Sequence, residues 1–399
     1  MKIQALLFVI FSIFGLQSCS KTEPQPNLET PQVEVGETAK TSSLTPAKPI
    51  DPLAQYDQKQ GDDLTDTAKF IAGMNVDQKS QFYPLQKSQF WVNYRNFIDP
   101  AWSKLEKQQL TKVSQWSQEE LAKINQSNPR IFYPFSGPDF LYAYLFFPTA
   151  QEYVLAALEP VGTVPNFQEL SESQRNKKLA DVRDSLYSLL QFSFFQTKEM
   201  KSDLSNQGVL PLILLFMART NNRILDLQYI GLDQDAKIQK FEKGMIPGVK
   251  IDFVHQGEKQ PRTLYYFSGD ISDDGLKKTP QFSQFVKQMN QPVTYLKAAS
   301  YLMHRPTFST IRGLILDQSQ AILQDDSGIP LKSFVPQQWN LDFYGTYTAP
   351  ISLFSVRYQP DLRKVYQSNS SLKPLNFGVG YKFGVNQSNM MLATKKEKP

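Results

Sequence analysis

The sequence predicts an α/β or α+β domain: a mixed sheet with a central strand-helix-strand unit, flanking helices and antiparallel C-terminal strands. Three observations support this. Pro129 to Pro165 is the densest apolar and aromatic block beyond the N-terminal region, and it reads as two short buried runs joined by a helical connection. Helical periodicity dominates the segments before it and directly after it, and the C-terminal part alternates apolar and polar side chains in the manner of antiparallel strands.

The central block predicts a strand, a helix and a second strand. Ile131 to Phe135 is aromatic and β-prone, and Ser136-Gly137-Pro138-Asp139 supplies a capping hydroxyl, a proline and an early acid to a helix from Phe140 to Phe147. Pro148 stops that helix, and Tyr153 to Leu158 is a second buried strand that ends at Glu159-Pro160-Val161-Gly162. The connection is long enough for a parallel crossover and too long for a tight hairpin. In a parallel pair both carboxyl ends share one edge, so Ser136, Gly137, Asp139 and Glu159 are expected to gather there, where open α/β sheets hold their sites.

Upstream, Asp66 to Met74 is a short helix candidate. Pro100 to Asn125 is a longer one, with Asp99 as its expected N-cap and apolar residues near a 3.6-residue period. Downstream, Phe167 to Gln196 reads as an amphipathic helix bent near Phe192, Phe194 and Phe195, and Val209 to Arg219 as a buried helix too short to span a membrane. Arg223 to Ile230 is a strand, and Val249 to His255 with Arg262 to Phe267 is a hairpin. Thr279 to Asn290, Pro292 to His304 and Thr307 to Gln318 read as helices, and Gln320 to Gln324 as a strand. Trp339 to Tyr347, Ile351 to Tyr358 and Leu375 to Val385 read as antiparallel strands. The globular domain is thus expected over 64–386, with a polar, lysine-rich tail over 387–399.

The N-terminus has a different character. Lys2, an apolar run from Ala5 to Leu16 and then Leu16-Gln17-Ser18-Cys19 form a charged region, a signal-length apolar region and a cysteine at the cut. These residues resemble the lipobox of bacterial lipoproteins. The resemblance implies removal of residues 1–18 and acylation of Cys19, and Ser20 after it implies sorting to the outer membrane, facing the periplasm. Residues 19–63 are rich in Pro, Thr, Ser, Gln, Glu and Lys and read as the lipidated cysteine plus a disordered tether, with a root-mean-square reach of about 35 Å. Cys19 is the sole cysteine, so the exported domain relies on packing without disulfides.

Four of the expected strands end in a turn that combines acids with small residues: Ser136 to Asp139, Glu159 to Gly162, Ser268 to Gly275 and Asp325 to Gly328. If these strands are parallel neighbours, Asp139, Glu159, Asp325 and Asp326 are the candidate acid-base residues, and Ser136, Gly137, Ser268 and Asp270 the candidate ligand contacts. Asp270, Ser272 and Asp274 have the spacing of half a calcium loop. Gln281 stands where the bidentate glutamate belongs, so a solvated turn is expected and no metal. No Walker loop, Gly-x-Gly-x-x-Gly, Gly-x-Ser-x-Gly or His-Glu-x-x-His is present. A formal charge of +5 without a basic stripe argues against a nucleic-acid partner.

The segments YPFSGPDFLYAYLFFP, LEPVG and ILQDDSGIP resemble stretches of exported bacterial proteins, a resemblance that implies no activity and no cofactor. The expected role is a membrane-anchored envelope lipoprotein that binds a protein or glycan partner. The alternative is a carboxylate hydrolase of envelope glycan using Asp139 and Glu159, which requires that neither acid be buried in a salt bridge.

Overall fold

A computed structural model describes residues 51–192, 208–382, 384 and 386–397. Residues 50–399 form one compact unit. Cys19 and the last part of the helix expected up to Gln196 lie outside the described residues.

A ten-stranded mixed sheet runs through the unit. In chain order its strands are β1 Arg130–Pro134, β2 Glu152–Ala157, β3 Asn222–Leu232, β4 Ile238–Lys240, β5 Ile246–His255, β6 Arg262–Ser268, β7 Val293–Leu296, β8 Ala321–Gln324, β9 Trp339–Gly345 and β10 Asn389–Lys395. In space the order is β4-β3-β5-β6-β2-β1-β7-β8-β10-β9, with β6, β2, β1, β7 and β8 mutually parallel and the outer strands antiparallel. The mixed sheet and its antiparallel C-terminal strands agree with the sequence reading.

Helices cover both faces. On one face lie α1 Gln58–Ile71, α2 Gln89–Leu105, α3 Thr111–Glu120, the short α4 Ala122–Gln126, α5 Phe140–Phe146, α6 Glu172–Phe192 and α7 Leu210–Arg219. On the other lie α8 Asp273–Lys278, α9 Pro280–Gln288, α10 Ser309–Gln318 and α11 Pro360–Ser368. The strands alternate between them as the two-residue period requires: Ile131 and Tyr133 belong to the first core, Phe132 to the second. The chain leaves β1 through α5 on the first face, whereas it leaves β7 through α10 on the second. The crossovers therefore reverse between the neighbours β1 and β7, and in open α/β sheets the crevice at such a reversal is where ligands are held.

Several elements differ from the sequence reading. Pro292 to His304, read as one helix, is strand β7 followed by a 3₁₀ turn over Ala298–His304. Val293-Thr294-Tyr295-Leu296 is fully buried between β1 and β8, and burial on both faces removes the alternation that would have marked a strand. Residues 387–399, read as a polar tail, contain β10, whose Met390 to Ala393 are buried between β8 and β9. Ile351 to Tyr358 is a 3₁₀ turn, Ser352–Arg357, and Leu375 to Val385 forms no strand among its described residues. The fold also begins before residue 64, because α1 starts at Gln58 with Asp57 as its cap. Pro100 lies inside α2, capped at Ser88, while Asp99 pairs with Arg95 at 3.0 Å and Arg219 at 2.6 Å instead of starting a helix.

Candidate functional site

The carboxyl ends of β6, β2, β1, β7 and β8 lie on one edge because these strands are parallel, so the four acidic turns share one rim. Their chemistry is nevertheless uneven.

Asp139 caps α5, accepting from the Tyr142 amide at 3.2 Å, and its other oxygen accepts from the Tyr133 hydroxyl at 3.0 Å. That same oxygen is 2.6 Å from Nζ of Lys297, and both side chains are all but inaccessible, 3% and 4% exposed. The ammonium also sits over the Tyr142 ring, 3.7 Å from its centroid, a cation–π contact in a dry site. Lys297 directly follows β7 and Asp139 caps the helix after β1, so the pair closes the reversal point. Both strand ends are conformationally tense: Phe135 after β1 and Ala298 after Lys297 are non-glycine residues at φ +61° and +56°. Such outliers persist only where the surroundings hold them.

Asp325 and Asp326 follow β8. Asp325 accepts from the Ser327 amide at 2.9 Å and the Ala298 amide at 3.3 Å, and from the Ser327 hydroxyl. Asp326 accepts from the Tyr301 hydroxyl at 2.5 Å and from Asn389 Nδ2 at 2.8 Å, while its carbonyl accepts from Gln359. Burial raises both carboxyl groups. Asp325 is pushed up to about 7, by burial first and then by the neighbouring Asp326 charge, and Asp326 is restrained by its two donors. His304 beside this turn is lowered to about 4 by burial and stays neutral.

The rim is covered by the chain itself. Gly380, at φ +63°, packs its α-carbon so closely on Asp325 that a Cβ there would overlap Oδ2. Tyr381 and Phe354 stack with Tyr301, at 6.1 and 4.5 Å between centroids, and Lys382 Nζ donates to the Ala349 carbonyl. The void left beside Asp325, Asp326 and Asn389 is about 10 Å³, room for one water at most.

An acid that is neutral in the fold and ionised in the unfolded chain ties stability to pH. Because burial raises Asp325 above its unfolded value, the fold holds the extra proton below that range and loses this contribution as pH rises through about 7. Asp325→Asn is therefore expected to gain stability relative to the parent chain between about pH 5 and 8, by up to a few kcal/mol. Urea denaturation at both pH values checks it, and a gap that does not widen with pH contradicts it.

The remaining expected residues do other work. The Glu159 turn anchors α7, since the Pro160 and Val161 carbonyls accept from the Val209 and Leu210 amides at 3.0 Å and the Glu159 carbonyl accepts from Tyr266. The ion pair of Asp139 with Lys297 removes the Asp139 and Glu159 acid-base pair by the condition set for it. Ser136 is buried and its hydroxyl donates to the Gly137 carbonyl; Ser268 ends β6 against Ala157. Asp270 is exposed, accepting from Ser272 N, and Ser272 caps α8 by accepting from Gly275 N. Asp273 accepts from Ser309 and Thr310 at the start of α10, so this acidic turn serves as a set of caps. Sequence reasoning missed Lys297 and Tyr301 because β7 was hidden inside an assumed helix, and the Gly380 cover because Leu375 to Val385 read as a strand.

An open concavity lies at the opposite, amino edge. It encloses about 690 Å³ between α1, the Met74 to Ser80 loop, the start of β3 and the end of β5. Its wall includes His255, whose Nδ1 shares a 3.0 Å hydrogen bond with the Tyr144 hydroxyl, and beside it Arg262 pairs with Glu258 at 2.5 Å. Thr65 fixes α1 to the sheet by bonding both the amide and carbonyl of Ile224. No family model, curated protein or solved structure matches the chain.

Proposed function

We propose that this chain is a lipid-anchored envelope protein that binds a partner through the amino-edge groove and does not act as a hydrolase at the carboxyl edge. The observation that carries the reading is the contrast between the two edges. At the edge where an α/β sheet would hold its site, Asp139 is ion-paired with Lys297, Asp325 and Asp326 are buried with hydrogen-bond donors around them and Gly380 packs on Asp325, whereas about 690 Å³ stands open at the other.

The groove has a definite electrical character. Its lining carries Asp62, Asp63, Asp66, Asp77 and Glu258 against Lys69, Lys79 and Arg223, five carboxylates to three bases. A partner that presents positive charge there gains from complementarity, mostly in encounter rate and specificity. No described helix is long and apolar enough to cross a membrane. The anchor proposed is Cys19, and what supports it is Lys2, the apolar run and the residues before the cysteine.

Two measurements test this. Growth with an alkyne-bearing fatty acid is expected to label the chain and to leave Cys19→Ser unlabelled. A photo-reactive phenylalanine analogue at Gln256, on the groove wall, is expected to give a discrete adduct in living cells, abolished by Asp66→Lys. Adducts at Gln256 that persist in Asp66→Lys, or none at all, contradict binding through the groove.

A further inference from the structure

We propose that residues 378–382 form a proton-held cover over the reversal point between β1 and β7, shut while Asp325 carries a proton and released when Asp325 ionises. The inference goes beyond the groove and the lipid anchor and depends on neither.

The balance of buried charge is the starting point. Asp139, Asp325 and Asp326 are all buried at this edge, and Lys297 is buried among them. Asp139 holds that ammonium at 2.6 Å. Asp326 holds the Tyr301 hydroxyl at 2.5 Å and the Asn389 amide at 2.8 Å. Asp325 is left with two backbone amides and the Ser327 hydroxyl. Adjacent acids in a dry site ionise together only at a cost, so the proton falls to Asp325, which burial and the Asp326 charge push up to about 7. The other groups facing Asp325 do not titrate with it. Burial raises Tyr133 of β1, Tyr295 of β7, Tyr301 and Tyr381, which keep their hydroxyl protons, and it lowers His304 to about 4. Lys382 is lowered by burial against the pull of both aspartates.

The cover rests directly on the titrating group. Val379 and Lys382 bridge to each other, so Gly380 and Tyr381 form the tip of a tight turn. Gly380 sets its α-carbon against Asp325 Oδ2, and a Cβ there would also lie 3.6 Å from Lys297 Cγ, so one glycine roofs both residues. Before the turn the chain is fastened. Gln109 donates to the Gly378 carbonyl and accepts from its amide at 3.2 Å, and the Ser388 hydroxyl accepts from the Val379 amide at 2.9 Å. The tip itself is held by Tyr381, stacked on Tyr301 and Phe354, and by Lys382 on the Ala349 carbonyl. Beneath it the void of about 10 Å³ has no room to hydrate a carboxylate. An ionised Asp325 therefore gains water only when the tip lifts.

Opening returns Asp325 toward the ordinary aspartate value of about 3.9. Ionisation thus favours the open form from about pH 4 upward, about tenfold per pH unit, and the gain levels off above about 7, where the shut form is itself ionised.

Amide exchange of the full chain in detergent, followed by mass spectrometry from pH 5 to 8.5 and corrected for the intrinsic pH dependence of exchange, tests this. Peptides over residues 375–382 are expected to show an opening constant that rises about tenfold per pH unit to about pH 7 and is flat above it, at urea concentrations that leave β1 and β2 protected. Asp325→Asn cannot ionise and is expected to flatten the profile. A profile already flat in the parent, a slope that survives in Asp325→Asn, or cover exchange that occurs only together with β1 and β2 overturns the proposal. Should Asp325→Asn fail to fold, Asp326→Asn takes its place. Removing the neighbouring charge is expected to move the levelling-off to lower pH, and an unchanged profile overturns the proposal.

Discussion

Lys297→Met is expected to destabilise the domain by about 3–5 kcal/mol, the cost of breaking a buried ion pair from one side. Asp139 would keep its burial and lose the charge 2.6 Å away, with only the Tyr133 hydroxyl and the Tyr142 amide left to satisfy it. Against the usual stability of a domain, about 5–15 kcal/mol, this is a large fraction. Removing both charges should behave differently. Asp139→Asn with Lys297→Met leaves an acceptor for the Tyr142 amide and no orphaned charge, so it is expected to recover most of the loss. Urea denaturation of the parent, both single variants and the pair closes the cycle. A single variant as stable as the parent would mean the pair contributes little to the fold.

Gly380→Ala is expected to cost about 2–4 kcal/mol, for two separable reasons. A φ of +63° is strained for any residue with a Cβ, about 1 kcal/mol, and the added methyl overlaps Asp325 Oδ2, an overpacking of about 1–3 kcal/mol. The overlap term disappears if the carboxylate is removed as well, while the backbone term stays. Asp325→Ala with Gly380→Ala should therefore lose less than the sum of the two single variants, measured again by denaturation. Strict additivity would show that Gly380 does not bear on Asp325.

The parts of this fold that rest on local chemistry were legible in the sequence. Asp139 as the cap of α5, Pro148 after it, and the parallel pairing of β1 with β2 follow from turn residues and connection length. The sharing of one rim by four acidic turns also followed, once the strands were placed side by side. What was not legible came from burial on both faces. β7 and β10 carry short, fully buried runs without apolar-polar alternation, and such runs read equally well as helix or as the end of a frayed tail. Missing β7 hid Lys297, and without Lys297 the Asp139 turn read as a candidate acid-base site. The cover provided by Gly380 and Tyr381 depends on a stacking partner some eighty residues away, Tyr301, which no periodicity reveals.

On the proposed function, the carboxyl edge is a closed joint of the fold and the amino-edge groove is the binding surface. Photo-cross-linking from Gln256 in cells, performed on the Asp139→Asn, Lys297→Met chain, tests it most directly. This variant is expected to fold and to give the same Gln256 adduct as the parent. A variant that folds as stably as the parent but has lost the adduct would place the function at the Asp139 and Lys297 edge and contradict the account.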